Sequence, residues 1–599
     1  MALQVIDQRA RALARMGRER TLFERHPGGK IAACLIYPNT YPLAMANLGF
    51  QAVYRIFDQE PQVAVDRAFL PDRDQLPALR KRREPLLSFE QGRELGAFDL
   101  LAFSISFETD YLNVPAILDL AGIPIWREQR RQRAFPLIIA GGSAIFLNPE
   151  PIADFVDLFL IGEGEEMVPE FIEHYRQARQ EGSDRATTLH RLTRTTGAYL
   201  PELYTARYDE AGRLAAIDYS GEGNGQVKRR MLRDLDRADT SSLILTPESV
   251  FGDMYLVEAS RGCQWGCRFC AAGFMYRPIR YRSPQRLLEQ ARQGLRERQV
   301  IGLVGAEMAS VPGVAQLAGA VAQAGGRLSP SSLKADCISP ELAAALAQGG
   351  ARSVTIAPEA GSERMRKVIN KNLSEAAILH AAKMMVGEGV ESLKLYFMLG
   401  LPEEHDEDVV AIATLTAHIL ERVRQGKRHL GKVTVSLNPF VPKPWTPFQW
   451  DPMADLRSSK RKIALLRSHL MRLGGVEMDA ESPREAYFQT LVSRGDRRVG
   501  AILARLHAEG CDDAGSIWQA LGQIRREAVE GGRSALPNPD DYVYRALGHN
   551  ELLPWDFIDH SVSKWFLLSE RKKAHFEHQT RPCDVTRCTV CGACQPGPP

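Results

Sequence analysis

Two groups of cysteines are the residues of this chain whose spacing points most directly to chemistry. The first group is the Cys-x3-Cys-x2-Cys motif formed by Cys263, Cys267 and Cys270. The second group lies near the carboxyl terminus and consists of Cys583, Cys588, Cys591 and Cys594. Three thiolates can hold three corners of a cubane iron–sulfur cluster and leave the fourth iron open. An open metal position is what catalysis requires and what a structural site avoids.

The surroundings of each group separate iron–sulfur ligation from its alternatives. No His or fourth Cys follows Cys270 at a spacing suited to tetrahedral zinc, so a zinc site or purely structural cysteines are the weaker interpretations there. The second group contains a Cys-x2-Cys-x2-Cys core similar to ferredoxin-type ligation, and it predicts a second iron–sulfur cluster, with zinc as the alternative. Disulfides are the least expected outcome in a cytosolic protein that keeps a cluster reduced.

Composition narrows the class of protein further. The chain has 599 residues and a mass of 66.7 kDa, enough for about three to four domains. Lys and Arg (76) nearly balance Asp and Glu (73), so charge gives no case for nucleic acid or an anionic membrane as partner. We find no apolar run near the ~20 residues of a membrane-spanning helix and no apolar signal-peptide core, which predicts a cytoplasmic protein.

Short apolar runs alternate with helical segments along most of the chain. This pattern is typical of parallel sheets covered by helices, so the predicted fold class is α/β. The first runs, at 30–37, 98–106, 136–140 and 155–161, indicate a doubly wound domain. Six later runs, at 254–257, 300–304, 332–335, 353–357, 393–398 and 433–437, indicate a partial (β/α)6 barrel.

The chain is therefore expected to divide into five parts. The doubly wound domain is expected over 1–185 and a connector with a small sheet over 186–245. The barrel is expected over 246–450, a mostly helical region over 451–580 and a Cys-rich metal-binding tail over 581–599. In (β/α) barrels the chemistry lies at the carboxyl ends of the strands, and the first cysteine group follows the first barrel strand directly.

With its three cysteines and the aromatic Phe269 before the last of them, the chain resembles the radical S-adenosylmethionine (SAM) enzymes. In that superfamily the aromatic residue packs near the adenine of SAM. The resemblance implies a 4Fe–4S cluster whose open iron is chelated by the amino and carboxylate groups of SAM. One electron, from a donor such as flavodoxin or ferredoxin, then cleaves the sulfonium C–S bond. The product is a 5′-deoxyadenosyl radical that abstracts hydrogen from an unactivated C–H bond.

The resemblance also implicates residues that end later barrel strands as contacts of SAM. Gly305 and Glu307 stand where the superfamily receives the SAM amino group, and Glu359 or Ser362 could hydrogen-bond a ribose hydroxyl. Gly400 stands where the family lays backbone against adenine. For each residue the alternative is a turn at the barrel rim or the N-cap of a helix.

Glycine-rich strand ends in the first domain are similar to those of the cobalamin-binding domain that precedes the barrel in one large radical SAM class. The residues concerned are Gly141, Gly142, Gly162, Glu163 and Gly164. Cobalamin domains of the methionine-synthase type carry an Asp-x-His-x-x-Gly loop, but this chain has no His between His26 and His174. Three alternatives follow: cobalamin bound without a protein His, a fold that has lost the cofactor, or a plain doubly wound substrate or docking domain.

Residues 493–498, residues 553–558 and the Cys-rich tail extend the resemblance to an uncharacterised family of cobalamin-domain radical SAM proteins. Within the first of these stretches, Arg494, Arg497 and Arg498 could bind an anionic substrate, but a salt-bridged helix start is the favoured interpretation. The expected function is radical SAM chemistry, coupled to methyl transfer if cobalamin is bound. The alternatives are a cobalamin-free enzyme that modifies RNA or protein like the methylthiotransferases, and a non-catalytic iron–sulfur electron-transfer or sensor protein.

Overall fold

The amino-terminal sheet forms from short apolar strands that are buried on both faces. The computed structural model describes residues 7–131, 135–424, 431–531 and 536–594. Residues 1–6 and 595–599 of the expected first domain and tail thus lie outside the described residues. The strands of this part are Arg20–Thr21 (β1), Ile31–Tyr37 (β2), Val63–Phe69 (β3), Leu100–Ser104 (β4), Leu137–Gly141 (β5), Leu158–Leu160 (β6) and Ala198–Tyr199 (β7).

Strands β2 to β7 make one six-stranded sheet in the order β3-β2-β4-β5-β6-β7. All neighbours pair in parallel except β7, which runs antiparallel to β6. The chain leaves β2 for β3 on one side and then returns to β4 on the other, so β2 and β4 flank the topological switch point. The helices of this amino-terminal domain are Gln8–Met16 (α1), Tyr41–Met45 (α2), Leu48–Gln59 (α3), Leu76–Arg82 (α4), Asn113–Leu120 (α5), Ser143–Leu147 (α6), Gly164–Gln180 (α7) and Arg185–Leu192 (α8).

The sequence prediction missed β3 because two charged residues interrupt its apolar pattern. Arg67 is buried and forms ion pairs of 2.6 Å with both Glu19 and Glu90. Asp66 is fully buried and accepts hydrogen bonds from the backbone N–H groups of Glu90 and Gln91. Paired charges of this kind can be buried inside a strand, and the single-chain pattern does not reveal the partners that make this possible.

The connector contains more structure than expected. It supplies β7 to the first sheet, a hairpin of Tyr204–Tyr208 (β8) and Leu214–Tyr219 (β9), and two short strands, Val227–Lys228 (β10) and Ile244–Leu245 (β11). Strand β11 pairs with β1, so the chain's first strand is joined to the segment that leads into the barrel.

The barrel consists of seven parallel strands in two sheets. The seven strands are Met254–Glu258 (β12), Val300–Val304 (β15), Arg327–Pro330 (β16), Ser353–Glu359 (β17), Ser392–Leu399 (β18), Lys432–Pro439 (β19) and Val476–Ala480 (β20). Between β12 and β15 the chain forms a separate short pair, Ser260–Arg261 (β13) and Arg280–Tyr281 (β14). The sheets β12-β15-β16 and β17-β18-β19-β20 are linked by a parallel bridge between Leu333 and Ile356. The expected α/β fold with a partial barrel is confirmed, and β20 adds a strand beyond residue 450.

Helices cover the outside of the barrel and begin at residues suited to helix starts. They are Ala272–Met275 (α9), Pro284–Leu295 (α10), Val314–Gln323 (α11), Pro340–Gln348 (α12), Glu363–Val368 (α13), Glu375–Glu388 (α14), Asp406–Arg424 (α15) and Leu456–Leu470 (α16). Ser283 and Ser339 each precede a proline at the first helical position and accept a backbone N–H bond as N-cap.

The strand expected at 332–335 is wrong. The third barrel strand lies earlier, at β16, directly after the glycines that end the preceding helical turn, and Ala335–Cys337 is a 3-10 turn. In this stretch Leu333 makes a single parallel bridge to Ile356, and the Lys334 ammonium bonds the Asp336 carboxylate and the Asn372 carbonyl. A short run of mixed polarity does not place a strand to within a few residues.

The carboxyl-terminal region packs on the first domain rather than standing apart. It contains Pro483–Arg494 (α17), Val499–Ala508 (α18), Ala514–Glu530 (α19), Pro539–Val543 (α20), Ile558–Asp559 (β21) and Lys564–His575 (α21). One hydrophobic cluster unites β2, β4 and β5 with α17, α18 and α19, whereas the barrel has its own core. Within the described residues, we see no helix with the length and apolar character that crossing a membrane demands.

Gly142 provides a test of how tightly the first sheet packs. Its φ is +112°, and an added Cβ would lie 2.3 Å from the carbonyl oxygen of Ile105. We expect Gly142→Ala to lower the free energy of unfolding by about 1–3 kcal/mol from backbone strain alone. Gly319→Ala is the matched control, because Gly319 lies in α11 with open space around it and should gain roughly 0.5–1 kcal/mol. Equal urea midpoints for the two variants would contradict this packing.

Candidate active site

The first cysteine group lies at the carboxyl end of β12, on a loop that we call the Cys263 loop (residues 263–270). The pairing of β13 with β14 closes the base of this loop. Gly262 is required at its start, because its φ is +84° and an added Cβ would lie 2.7 Å from the Tyr276 carbonyl oxygen. The Cys270 N–H donates to the Cys267 carbonyl at 3.0 Å, which forms a tight turn between the last two cysteines.

The three thiols lie close enough to influence one another's charge; Cys267 is buried, and Cys263 and Cys270 are half-buried. Burial, together with the neighbouring Cys267 and Cys270, raises the pKa of Cys263 to about 12. Burial raises the pKa of Cys267 to about 11, although the ammonium groups of Lys371 and Lys334 oppose the shift. Thiols in this state become good ligands when a metal displaces their protons. In a cubane each thiolate binds a different iron, so three coupled thiols on a short loop fit such a cluster.

Lys371 is the cation beside these thiols, and sequence analysis missed it. Its ammonium is 3.2 Å from the Glu359 carboxylate. Burial alone would lower the pKa of Lys371, but the charges of Glu359, Cys267 and Cys270 raise it above its usual value. Asn370 and Asn372 flank Lys371 with φ of 55° and 49°. Two left-handed asparagines around one lysine are a local signal that could have indicated a lysine turned inward.

Glu359 lies where the sequence placed it, at the end of β17, beside the barrel opening. It has a φ of +67° and sits at an irregularity in the pairing of β17 with β18. A non-glycine residue in this region is uncommon and marks a position that its surroundings enforce. The opposite charges of Glu359 and Lys371 thus stand as a pair next to the Cys263 loop.

An apolar surface covers the ends of three adjacent strands. Ala360, Leu401 and Phe440 follow β17, β18 and β19 and belong to one buried cluster, against which Phe269 and Met398 pack half-buried. Gly400 has a φ of +78°, and an added Cβ would lie 2.8 Å from the Cβ of Ala454. The Cys263 loop, the Lys371–Glu359 pair and this apolar surface therefore meet at one barrel mouth. Thiols fit a cluster, a charged pair fits an amino-acid group, and the half-buried apolar side chains of Phe269 and Met398 fit an adenine.

Other predicted SAM contacts have structural partners of their own. The Glu307 carboxylate accepts hydrogen bonds from the N–H groups of Ala309 and Ser310, which makes it the cap of the turn after β15. Gly305 lies against Ser260, whose Oγ would be 2.7 Å from an added Cβ. Ser362 is the N-cap of α13 and donates to Asp408 at 2.5 Å. The alternative interpretation, a rim turn or an N-cap, describes what Glu307 and Ser362 do here.

Backbone contacts within the chain explain the glycines of the first domain. Gly142 approaches Ile105, and Gly162, with a φ of +143°, would place a Cβ 2.5 Å from the Arg230 carbonyl oxygen. Gly141 and Gly164 have ordinary φ, with an added Cβ 3.3 Å from Leu160 and Val53 respectively. These glycines therefore allow close packing of the protein on itself, which needs no ligand.

Glu163 joins the first domain to the barrel. Its carboxylate is 2.7 Å from Arg280 and 3.0 Å from Arg261, and it accepts the N–H of Leu232 at 2.9 Å. Burial acts against the charge of Glu163, but these arginines lower its pKa below the usual value. Because Arg261 stands two residues before Cys263, this ion-pair group fixes the start of the Cys263 loop relative to the first sheet.

The switch point between β2 and β4 carries a different group of side chains. Asn39 and Asn47 donate to Asp110 and Ser106 at 2.7 and 2.9 Å. Asp110 is 3% exposed, and its Oδ2 atom has no hydrogen-bond partner among the residues that the structure describes. Burial raises the pKa of Asp110 to about 7. An unsatisfied buried oxygen at a switch point is a candidate contact for a bound molecule.

The second cysteine group is brought to the same barrel mouth as the first. The Cys583 N–H donates to the carbonyl oxygen of Gln264, inside the Cys263 loop, at 2.7 Å. Burial and the neighbouring Cys594, Cys591 and Cys588 raise the pKa of Cys583 to about 11, although Arg277 opposes the shift. Sequence distance hid this proximity, since more than 300 residues separate the two groups.

The three arginines of residues 493–498 are structural, as the favoured interpretation predicted. Arg497 pairs with Glu150 at 3.1 Å and Arg498 with Asp496 at 2.6 Å. Arg494 is buried and donates to backbone carbonyls, among them that of Arg545 at 2.8 Å. These contacts use the guanidinium groups that an anionic substrate would need.

Two protein-family models match the chain. The model described as "Radical SAM proteins, N-terminal" matches residues 49–201. The model described as "Radical SAM superfamily" matches residues 257–416. The second range begins in β12 and contains the Cys263 loop, Lys371 and Gly400.

The uncharacterized protein MJ0966 of Methanocaldococcus jannaschii is 30% identical over 409 residues, which cover 68% of this chain and 80% of that protein. Among solved structures, the radical S-adenosylmethionine methyltransferase TsrM from Kitasatospora setae shares 14% identity, with a TM-score of 0.45, over 70% of this chain and 74% of that chain. The cobalamin-dependent S-adenosylmethionine radical enzyme OxsB shares 15% identity, with a TM-score of 0.47, over 91% and 79%. From the family models and the relative together, the chain belongs to the radical SAM superfamily.

Proposed function

We propose that this radical SAM enzyme binds a 4Fe–4S cluster on the Cys263 loop and cleaves SAM reductively at the barrel mouth. The observation that carries the proposal is the meeting of three coupled thiols, the Lys371–Glu359 pair and an apolar surface at one opening. When bound, the cluster supplies the electron that splits the sulfonium C–S bond and so releases a 5′-deoxyadenosyl radical. The chain's own side chains bind SAM and orient it toward the cluster.

Lys371 and Glu359 match the charges of an amino-acid group. The methionine part of SAM carries one carboxylate and one amino group, and a buried ammonium next to a carboxylate complements both. Their separation of 3.2 Å keeps the two charges together beside Cys267. We propose that this pair orients the methionine end of SAM so that its sulfur faces the cluster. In a site screened from water such contacts are stronger than at a surface.

Phe269, Met398 and the apolar strand ends provide the adenine subsite in this proposal. A planar base buries well against aromatic and thioether groups, and Gly400 allows backbone to lie next to it. Only glycine suits position 400, because its φ is positive and because Ala454 leaves no room for a Cβ atom there. This arrangement holds the nucleoside end while the charged pair holds the methionine end.

Release of 5′-deoxyadenosine tests the proposal. Protein reconstituted with iron and sulfide without oxygen, reduced with dithionite and given SAM should release 5′-deoxyadenosine, measured by liquid chromatography. Cys267→Ala should fall to background, because the cluster loses one of its three ligands. Cys511→Ala is the matched control, since Cys511 is a buried cysteine in the carboxyl-terminal region and should leave the yield unchanged.

The same assay separates the alternatives. If the native protein, with its cluster verified by absorption, releases none, the radical reaction is refuted and a non-catalytic electron-transfer role is favoured. A cobalamin-free enzyme that modifies RNA or protein would release 5′-deoxyadenosine but retain no corrinoid. The near-balance of charges on the chain gives RNA no electrostatic advantage as its substrate.

A second candidate function, cobalamin-dependent methyl transfer, is favoured by the switch point between β2 and β4. The Oδ2 atom of Asp110, which has no partner among the described residues, lies there, and Phe107, three residues after the end of β4, is 56% exposed. Leu43, which follows β2, is 40% exposed. Exposed apolar groups around a few buried polar atoms fit a large ligand with amide side chains. When bound, cobalamin would supply a methyl carrier, and we propose that these residues hold it.

Corrinoid retention tests this second candidate. Protein produced with hydroxocobalamin should keep about one corrinoid per chain after desalting, read from its visible absorption. Phe107→Asp should lower this retention, because a charge replaces exposed apolar contact area. Val529→Asp is the matched control, since Val529 is 78% exposed on α19, away from the switch point. A native protein that retains no corrinoid would remove methyl transfer from the account.

A further inference from the structure

The turn that carries Lys371 contains two residues in an uncommon backbone conformation. Asn370 and Asn372, on either side of Lys371, have φ of 55° and 49°. Asparagine enters this left-handed region more readily than most residues, because its short polar side chain can bond nearby groups, but the conformation is still unfavourable by itself. Two such residues in one turn therefore need contacts from other segments to hold them. We call residues 370–372 the Lys371 turn.

A single residue near the carboxyl terminus, Thr580, contacts both asparagines of the Lys371 turn. The Thr580 N–H donates to the side-chain oxygen of Asn370 at 2.8 Å. The side-chain amide of Asn372 donates to the Thr580 carbonyl, also at 2.8 Å. The two asparagines that flank Lys371 thus bind both backbone groups of Thr580. Two such hydrogen bonds fix the orientation of the turn as well as its distance from Thr580.

Thr580 is itself held in place by α21. Its hydroxyl donates to the Glu570 carboxylate at 2.8 Å, and Glu570 is 1% exposed. Glu570 pairs with the buried Arg268 of the Cys263 loop at 3.2 Å. A shift of Thr580 would therefore disturb the hydrogen bonding of a buried ion pair, which is costly. Thr580 is a fixed point against which the Lys371 turn is held.

The Lys371 turn also contacts two segments of the barrel. The side-chain amide of Asn370 donates to the Gly266 carbonyl, inside the Cys263 loop, at 3.0 Å. The Lys334 ammonium donates to the Asn372 carbonyl at 3.2 Å, and Lys334 is 4% exposed. The turn is thus held from three directions, and one of them is a segment more than 200 residues away in the sequence.

We infer that Thr580 and the two asparagines of the Lys371 turn are positioning residues for SAM. They hold the Lys371 ammonium, 3.2 Å from Glu359, in the place where it meets the methionine carboxylate. This inference rests on the proposed function, in which the Lys371–Glu359 pair orients the methionine end of SAM. The three residues act through Lys371 and do not touch the ligand themselves. The carboxyl-terminal region is then a part of the SAM site.

The inference predicts which chemical group of the ligand is affected. If the Lys371 turn acts through the ammonium, loosening it weakens the contact with the carboxylate of SAM and leaves the other contacts unchanged. Decarboxylated SAM lacks that carboxylate but keeps the amino group, the sulfonium and the adenosine. The ratio of the affinities for the two ligands therefore measures the Lys371 contact. A general loss of structure weakens the binding of both ligands alike and leaves this ratio unchanged.

Equilibrium dialysis of the oxidised, cluster-loaded protein against each ligand tests the inference. Oxidised protein binds SAM without cleaving it, because the cleavage needs an electron. Asn372→Gly keeps a residue that accepts the positive φ but removes the amide that binds Thr580. It should lower the affinity for SAM by about tenfold and that for decarboxylated SAM by less than about twofold. Thr580→Pro, which removes the N–H bound by Asn370, should lower the same ratio.

Arg83→Gly is the matched control for a glycine introduced at a positive φ. Arg83 is an exposed residue with a φ of 53° at the end of α4, in the first domain. This variant should leave both affinities unchanged. The iron content of every variant, measured beside its affinities, shows whether the cluster is intact.

An unchanged ratio of the two affinities in both Asn372→Gly and Thr580→Pro would overturn the inference. Equal losses for the two ligands would overturn it as well, because they describe a structural role alone. Lys371→Ala separates these failures from a failure of the proposed function. If Lys371→Ala lowers the ratio but the other two variants do not, only the positioning role is refuted. If Lys371→Ala also leaves the ratio at the native value, the proposed contact between Lys371 and SAM is refuted.

Discussion

One buried arginine joins the parts of the site that must act together. Arg268 stands between Cys267 and Phe269 and donates to the carbonyls of Lys367 and Val368 at the end of α13. The same guanidinium reaches His578 and Glu570 in the carboxyl-terminal region. Burial lowers the pKa of Arg268 and Glu570 opposes that shift. Removing one partner of a buried pair costs about 3–5 kcal/mol, so the loop, the barrel and the tail are held as one unit.

The ion pairs of Glu163 add the first domain to this unit. Glu163 binds Arg261 directly before the Cys263 loop, and the first sheet shares its hydrophobic core with the carboxyl-terminal helices. The order of the chain is thus not the order of its contacts: the last part packs on the first, and both border the barrel. A molecule bound at the switch point and one bound at the barrel mouth would therefore contact segments that also contact each other.

Local patterns were sufficient for much of the fold. The strands β2 and β15 are continuous apolar runs, and the three cysteines identify their own loop by spacing alone. Phe269, Glu359 and Gly400 lie at the barrel mouth, where local patterns placed them, because Phe269 stands within the cysteine motif, Glu359 ends β17 and Gly400 follows β18. Such local patterns do not reveal contacts between segments that are distant in the sequence. β3 was missed because its charges need Glu19 and Glu90 as partners, and Lys371 was missed because its neighbours come from two other segments.

Glycine patterns were the least reliable guide to the site. Gly142 and Gly162 end strands as they do in domains that bind large cofactors, yet their missing side chains make room for Ile105 and Arg230. A glycine shows that something approaches the backbone, but the sequence does not show whether it is a ligand or the protein itself. The unsatisfied Asp110 carboxylate is the more informative feature, and only the structure reveals it.

The open iron of the cluster on the Cys263 loop is the central claim, and electron paramagnetic resonance tests it most directly. The measurement uses reduced protein that carries Cys588→Ala and Cys594→Ala, so that the first cluster alone gives the signal. Addition of SAM labelled with nitrogen-15 in its amino group should shift the spectrum and produce a nitrogen coupling to iron. A spectrum that is the same with and without labelled SAM, from protein with an intact cluster, would contradict the claim.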